Sequence, residues 1–388
     1  MNLKIDWSGK SHNYSFSEKK YLTNVLDSDV LTQGPQKEKF EKSLRSYLKV
    51  KNIFCTSSAA SALEIISDLL NLKKGDEIII PAHTYCASVI PFARRGAKII
   101  WADIDLKTRT ISFEDTKNKI TKKTKAIILV HLYGYAVDVK KFQKLKKNKI
   151  KIIEDCAQAF GAQLNKNKVG TMGDFSCFSF HAQKNMTTLG EGGAIYVKDN
   201  RLSKKIPGLR HNGHVNYNAN RKEYWKPAMG NLDLDLKGTW PHKFTLSEIQ
   251  CAAGYLLIKR IDKMNQLRIK RAKKFIMSVD NNVFDFNSNF KSSRHVYHLL
   301  SAMVNKDRIS NHNIIKRLYY HYGIKCAVQY YPLYKYPLFK KMGFSKAKCP
   351  NTEKFYNNMI SFPFHIWMSD KDFNYMIKCV NEVTKSIK

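Results

Sequence analysis

Between residues 57 and 200, short apolar runs alternate with helix-like segments, and this alternation limits the folds open to the chain. GDEIIIPA (75–82), AKIIWADID (97–105), KAIILVHLYG (125–134), IKIIEDCAQAFGA (150–162), DFSCFSF (174–180) and GAIYV (193–197) read as strands. Before the first of these, SSAASALEIISDLL (57–70) opens on serines suited to capping and continues with helical spacing. ASVIPFARRG (87–96) reads as a second helix, with Pro91 early in it or bending it. Apolar strands separated by helices are buried on both faces, so the expected architecture is α/β, with a mostly parallel sheet inside a three-layer α/β/α domain.

Beyond about residue 260 the pattern changes. IKRIDKMNQLRIKRAKKFIMSV (258–279) is a charged helix, YHLLSAMV (297–304) a shorter strand, and more helices follow. The expected division is a large domain over 1–260 and a smaller α+β domain over 261–388. No internal repeat stands out.

Composition excludes some function classes. No apolar run approaches the roughly 20 residues that cross a bilayer, and the first 20 residues hold no signal core, so a soluble cytoplasmic protein without a membrane partner is expected. The eight cysteines are scattered without a CxxC pair, several of them inside apolar runs. That suits reduced, buried thiols and supports neither a disulfide framework nor a metal site. The net charge of +35 would suit a nucleic acid. The lysines are nevertheless spread along the chain, no nucleic-acid motif accompanies them, and an AT-rich genome yields the same Lys-, Asn- and Ile-rich composition. No nucleic-acid partner is expected, although the field would suit an anionic substrate or cofactor.

Three polar constellations fall where strands end, the edge at which open α/β sheets collect ligands. Glu154-Asp155 ends a buried strand, where a carboxylate needs a cation such as a protonated pyridine nitrogen; a capping aspartate would look the same. Lys184 follows FSCFSF and precedes the glycine-rich GEGG (190–193). Burial there would free its amine for Schiff-base chemistry, whereas a surface lysine beside a tight hairpin is the plain alternative. CTSSAASAL (55–63) leads a loop into a helix, whose first amides could hold a phosphate or simply be capped. The order and spacing of the three carry more than any one of them.

With these segments together the sequence resembles the DegT/DnrJ/EryC1/StrS family of fold-type-I, pyridoxal-phosphate-dependent sugar aminotransferases. The resemblance runs from LTQGPQKEKFEKSLRSYL (31–48) through EDCAQAFGA, GDFSCFSFHAQKN, GEGGAIYV, RHNGH (210–214) and FTLSEIQCAAGYLLIKRID (244–262) to the YHLL, VQYYPLY and SFPFH segments. It implies a seven-stranded sheet and pyridoxal 5'-phosphate, with pyridoxamine phosphate as its alternate form. Lys184 would be the covalent lysine and Asp155 the partner of the ring nitrogen. Gln158 would contact the ring hydroxyl, and Tyr85 would stack on the ring. Ser179 with Ser58, Ala59 and Ala60 would form the phosphate cup. It also implies a homodimer whose subunits complete each other's sites, Lys243 reaching across.

Two departures from the family pattern matter. Ala59-Ala60 replaces the common Gly-Thr, leaving the phosphate to backbone amides with Ser58 or Ser61. Lys243 replaces a common asparagine. The implied reaction moves an amino group from an amino acid, glutamate, to a keto sugar, nucleotide-linked, in the synthesis of a surface polysaccharide or other glycan. The long aromatic segment 212–240 would line the acceptor side with His214, Tyr224 and Trp225, unless those rings only pack the loop. A small phosphorylated ketone is an alternative acceptor. A dehydratase relative would carry histidine where Lys184 stands, and a non-catalytic regulator would not need Lys184, Asp155, Gln158 and Tyr85 together.

Overall fold

The computed structural model describes residues 3–146, 149–214, 232–236, 238–287, 292–305, 307 and 309–385. Its centre is a seven-stranded sheet formed by β1 (Ile53–Thr56), β2 (Glu77–Pro81), β3 (Lys98–Ala102), β4 (Thr124–Val130), β5 (Lys151–Asp155), β6 (Phe175–Ser179) and β7 (Gly193–Val197). Their spatial order is β1-β7-β6-β5-β4-β2-β3. β7 pairs antiparallel with both β1 and β6, and the remaining pairings are parallel.

Successive residues of the apolar strands serve different cores, the physical content of a sheet covered on both faces. Ile78 and Ile80 of β2 join one cluster with Ile128 and Ile153, while Ile79 joins another with Ile127 and Ile152. Helices α1 (Phe16–Leu26), α2 (Pro35–Leu48), α3 (Ala59–Leu69) and α4 (Glu248–Ile258) accompany the sheet, and α5 (Ile261–Ser278) runs from it, at Ile261, into a second core, which takes Ala272 and Phe275. This second core forms around the antiparallel strands β8 (Phe284–Phe286), β9 (Leu300–Val304) and β10 (Met359–Phe362), with α6 (Asn311–Tyr322) and α8 (Asp370–Lys385). Between them, α7 (Pro350–Asn358) sends Phe355 into the core of the large sheet.

The expected elements lie where the periodicity placed them, though most are shorter: the strands expected over 97–105, 125–134 and 297–304 are Lys98–Ala102, Thr124–Val130 and Leu300–Val304, and the helix expected over 87–96 is a 3₁₀ turn followed by Ile90–Arg94. The run 150–162 is strand only to Asp155, after which the chain turns. The charged helix begins at Ile261, because α4 ends at Ile258 and Arg260 takes a non-helical φ of −118°. Pro91 falls in the first turn of Ile90–Arg94, where its missing N–H costs nothing. All eight cysteines are free thiols. Among the described residues no helix is long and apolar enough to cross a membrane.

Segments distant in the sequence are tied together by buried carboxylates. Glu248 at the start of α4 accepts from the backbone N–H groups of Gly34 at 2.9 Å, Gln36 at 2.6 Å and Lys37 at 3.1 Å, so it caps α2. Glu41 on α2 accepts from Cys55 N of β1 at 3.0 Å and from Arg210 Nη1 at 2.6 Å. Phe40 packs so closely on α4 that a Cβ at Gly254 would lie 2.5 Å from its ring.

Candidate active site

The parallel strands point their carboxyl ends into a cavity of about 570 Å³, a size suited to a cofactor with a substrate. Its lining includes Ser58, Ala59, Ala60, Tyr85, Asp155, Gln158, Ser179 and Lys184, so residues from five separate segments meet here.

Asp155 ends β5 and is 4% exposed. Its Oδ2 accepts from Ser88 Oγ at 2.6 Å and its Oδ1 from Ala157 N at 3.0 Å, which fixes the carboxylate. The neighbouring Glu154 has a different task. It is fully buried and accepts from Gly170 N at 2.7 Å, Met172 N at 2.8 Å, Gly173 N at 2.6 Å and His131 Nε2 at 3.0 Å. Alternate residues of a strand face opposite ways, so only Asp155 of this acidic pair reaches the cavity. His131, Glu154 and Cys156 lie close enough to suggest a metal site, but the glutamate oxygens are already engaged by these four donors.

Lys184 stands in a turn after β6, its backbone N–H bonded to His181 O at 2.9 Å. Its Nζ has no hydrogen-bond partner among the described residues. Although its side chain retains some surface in the cavity, protein surrounds the ammonium closely. Burial brings its pKa down to about 8, partly offset by the attraction of Asp155.

Gln158 lies beyond Asp155 on the same turn and is held at both ends. Its Oε1 accepts from Tyr133 N at 2.9 Å, and its Nε2 donates to Tyr330 Oη at 3.1 Å. Tyr133 makes the first contact from a left-handed backbone with φ of 59°, a conformation tyrosine rarely adopts. Tyr85 is 56% exposed at the mouth of the cavity, edge-on to Tyr330 with ring centres 6.0 Å apart.

The α3 N-terminus completes the cavity. Ser58 caps it in a reciprocal box: its Oγ accepts from Ser61 N at 3.0 Å, and Ser61 Oγ accepts from Ser58 N at 2.8 Å. Ser61 is therefore spent on the cap and does not line the cavity, which removes it from the expected phosphate donors. The amides of Ala59 and Ala60 begin the helix and have no carbonyl of their own turn to bond. Gly193 at the start of β7 backs this cradle; a Cβ there would fall 2.3 Å from the carbonyl carbon of Ser58.

Other expected residues lie elsewhere. Lys243 is exposed, paired by a backbone bridge to His211, and does not line the cavity of its own chain. His214 also lies off the cavity, its ring 4.8 Å from that of His211. Tyr224 and Trp225 fall outside the described residues. Sequence reasoning missed Ser88, Arg268, His298 and Tyr330, which reach the cavity from segments with no catalytic pattern of their own.

The chemistry of this donor set fits pyridoxal phosphate: an unbonded amine of lowered pKa, a fixed buried carboxylate, and helix amides suited to phosphate. The sequence profile of the DegT/DnrJ/EryC1/StrS aminotransferase family matches residues 14–381. The chain belongs to this family. It is 28% identical to GDP-perosamine synthase of Vibrio cholerae over 94% of this chain and 95% of that protein. Its fold matches PseC of Helicobacter pylori, an aminotransferase involved in the biosynthesis of pseudoaminic acid, with a TM-score of 0.87 and 27% identity, covering 98% of this chain and all (100%) of that one. Spr1654 of Streptococcus pneumoniae, in its PMP form, gives a TM-score of 0.87 at 26% identity, covering 99% and 100% of the two chains.

Proposed function

We propose that this chain is a pyridoxal-phosphate-dependent transaminase that takes an amino group from an amino acid, glutamate, and delivers it to the keto group of a nucleotide-linked sugar. The observation that carries this reading is the amine of Lys184, unbonded and of lowered pKa, in a cavity that also holds a fixed carboxylate and a helix N-terminus. The names of the relatives supply the substrate class.

When bound, pyridoxal phosphate supplies an electron-accepting ring and a carbon that carries the amino group between donor and acceptor. The chain's residues supply the rest. Lys184, partly neutral near physiological pH, is the nucleophile for the cofactor and then the base that removes and returns a proton at the substrate carbon. Asp155 would hold a proton on the ring nitrogen by its charge, and Gln158 would offer its second amide N–H to the ring hydroxyl. Tyr85 would cover one ring face, and Ser58, Ser179 and the amides of Ala59 and Ala60 would hold the phosphate. Lys243 serves the site of a second subunit in a homodimer. Trp225→Ala, in the aromatic segment 212–240, is expected to raise the KM of the acceptor, which steady-state kinetics with the acceptor varied would test.

The test is the visible spectrum of the purified protein with pyridoxal phosphate. A band that collapses on adding L-glutamate, and that is absent from Lys184→Ala, supports the reading. If the wild type binds no cofactor, the reading fails.

A further inference from the structure

Away from Lys184, a second cleft of about 570 Å³ is lined by Lys49, Lys51, Lys166, Lys168 and Lys198. β7 begins at Gly193, against Ser58 of the active cavity, and the antiparallel β1 ends beside it at Thr56. The cleft lies at the other ends of these two strands, where Lys51 and Asn52 lead into β1 and Lys198 follows Val197. Asn52 Nδ2 donates to Asn200 Oδ1 at 2.8 Å and ties the two ends together. Lys49 closes α2 in a left-handed conformation, with φ of 57°. Lys166 stands with Asn165 on a two-residue turn that joins Gln163–Leu164 to Asn167–Lys168. Both turn residues have positive φ, the geometry that reverses a twisted pair of strands.

The charge of this cleft is unbalanced. Along the same edge of the sheet lysines are matched by acids: Lys98 pairs with Glu77, Lys125 with Asp76, and Lys146 and Lys151 with Asp174. The matching stops where Val197 pairs with Phe175 and the chain passes to Lys198. Among the described residues no acid lines the cleft, whereas Asp155 and Glu191 line the active cavity, and no ion pair holds any of the five lysines. Lys168 is half-buried and fixed: its Nζ donates to Tyr47 O at 2.5 Å and lies 3.3 Å from the centre of the Tyr47 ring. Burial lowers its pKa; Asp262 opposes that shift, and the positive charges of Arg294 and Lys49 add to it. Four exposed ammonium groups thus surround a fifth that is part-desolvated, and their mutual repulsion lacks a local counter-charge.

We propose that this cleft binds a small anion carrying two or more phosphate groups, a nucleoside diphosphate or an inorganic oligophosphate, at a place separate from the cofactor cavity. The cations are all lysines, compact charges with three donors each, which suit tetrahedral oxyanions approached from several sides. The lining holds no arginine, whose planar fork suits a carboxylate. The lysines converge from three segments, 49–52, 163–171 and 196–200, on one cleft of ligand size, and do not form a stripe that a polymer backbone could follow. Gln163 and Asn200 add neutral amide donors for the remaining oxygens.

The test is calorimetric titration of the pyridoxal-phosphate holoenzyme with inorganic tripolyphosphate. A saturable site is expected in the wild type, with a dissociation constant raised at least about tenfold when Lys166→Gln and Lys198→Gln are combined, the scale of one lost charge-assisted hydrogen bond. Both lysines are exposed and off the cofactor cavity, so this variant keeps the wild-type melting curve and absorbance. The control combines Lys346→Gln and Lys371→Gln, two exposed lysines outside the cleft, and removes the same charge. It is expected to leave the affinity unchanged. ADP that displaces tripolyphosphate identifies a nucleotide site; tripolyphosphate binding that ADP leaves untouched identifies an inorganic one. Equal weakening in the two double variants overturns the proposal, since it marks only the diffuse field of a basic chain. Unchanged affinity in the cleft variant overturns it too, as does a cleft that takes duplex DNA but not tripolyphosphate.

Discussion

Ser88 Oγ lies 2.6 Å from Asp155 Oδ2 and donates to it, tying the 3₁₀ turn after β2 to the end of β5. This bond keeps one carboxylate oxygen fixed where a ring nitrogen would need it. Ser88→Ala is expected to weaken pyridoxal-phosphate binding about tenfold, since hydrogen bonds to charged groups contribute roughly 1.5–3 kcal/mol. Fluorescence titration of the apoprotein with cofactor checks this, and an unchanged affinity would show that Ala157 N alone suffices.

Gly193 has no room for a side chain, its would-be Cβ falling 2.3 Å from backbone of Ser58. Gly193→Ala must push β7 away from the α3 N-terminus. The expected cost is about 1–3 kcal/mol of stability, typical of overpacking, together with poorer retention of cofactor on dialysis. A normal melting curve with full cofactor content would contradict it.

The lowered pKa of Lys184 makes the cofactor-free protein less stable than it could be. The folded value of about 8 lies below the ordinary 10.5, so below pH 8 the fold must hold an unwelcome charge. Between pH 8 and 10.5 the unfolded chain keeps the proton that the folded chain has released, and stability rises with pH. Lys184→Met apoprotein is therefore expected to exceed wild-type apoprotein by on the order of 2 kcal/mol at pH 7. Thermal melts at pH 7 and pH 10 test it: the gap should be wide at the first and narrow at the second.

Glu248 is a structural counterpart, a buried carboxylate that satisfies three amides of the α2 N-terminus. Glu248→Ala leaves them buried and unpaired, and a loss of about 3 kcal/mol is expected. Urea unfolding measures it. Glu248→Gln, with one acceptor oxygen remaining, should lie between.

Much of the large sheet was legible because its strands are apolar throughout and bounded by turns, a pattern that needs no long-range information. The limits show at 150–162, where the apolar run continues past Asp155 although the strand stops there. Periodicity cannot see that the chain must turn to bring Gln158 under Tyr133. Lys184 and Asp155 could be singled out because Asp155 ends a strand and Lys184 follows one. Ser88, Arg268 and His298 could not, since their meaning lies in what they face, and that is set by packing between distant segments. Ser61 illustrates the converse: a hydroxyl placed well in sequence for phosphate is consumed by the helix cap.

The wall of the cavity runs from Trp7 to His365. The segment bearing Trp7 is pinned to the far end of the chain, with Ile5 N bonded to Gly323 O and Lys325 N to Ile5 O, both at 3.0 Å. During synthesis, then, the sheet and its lysine can assemble well before the chamber around them closes. The chamber around Lys184 is thus walled by the beginning of the chain and by its last quarter together, and it is complete only once the segment bearing His365 has folded.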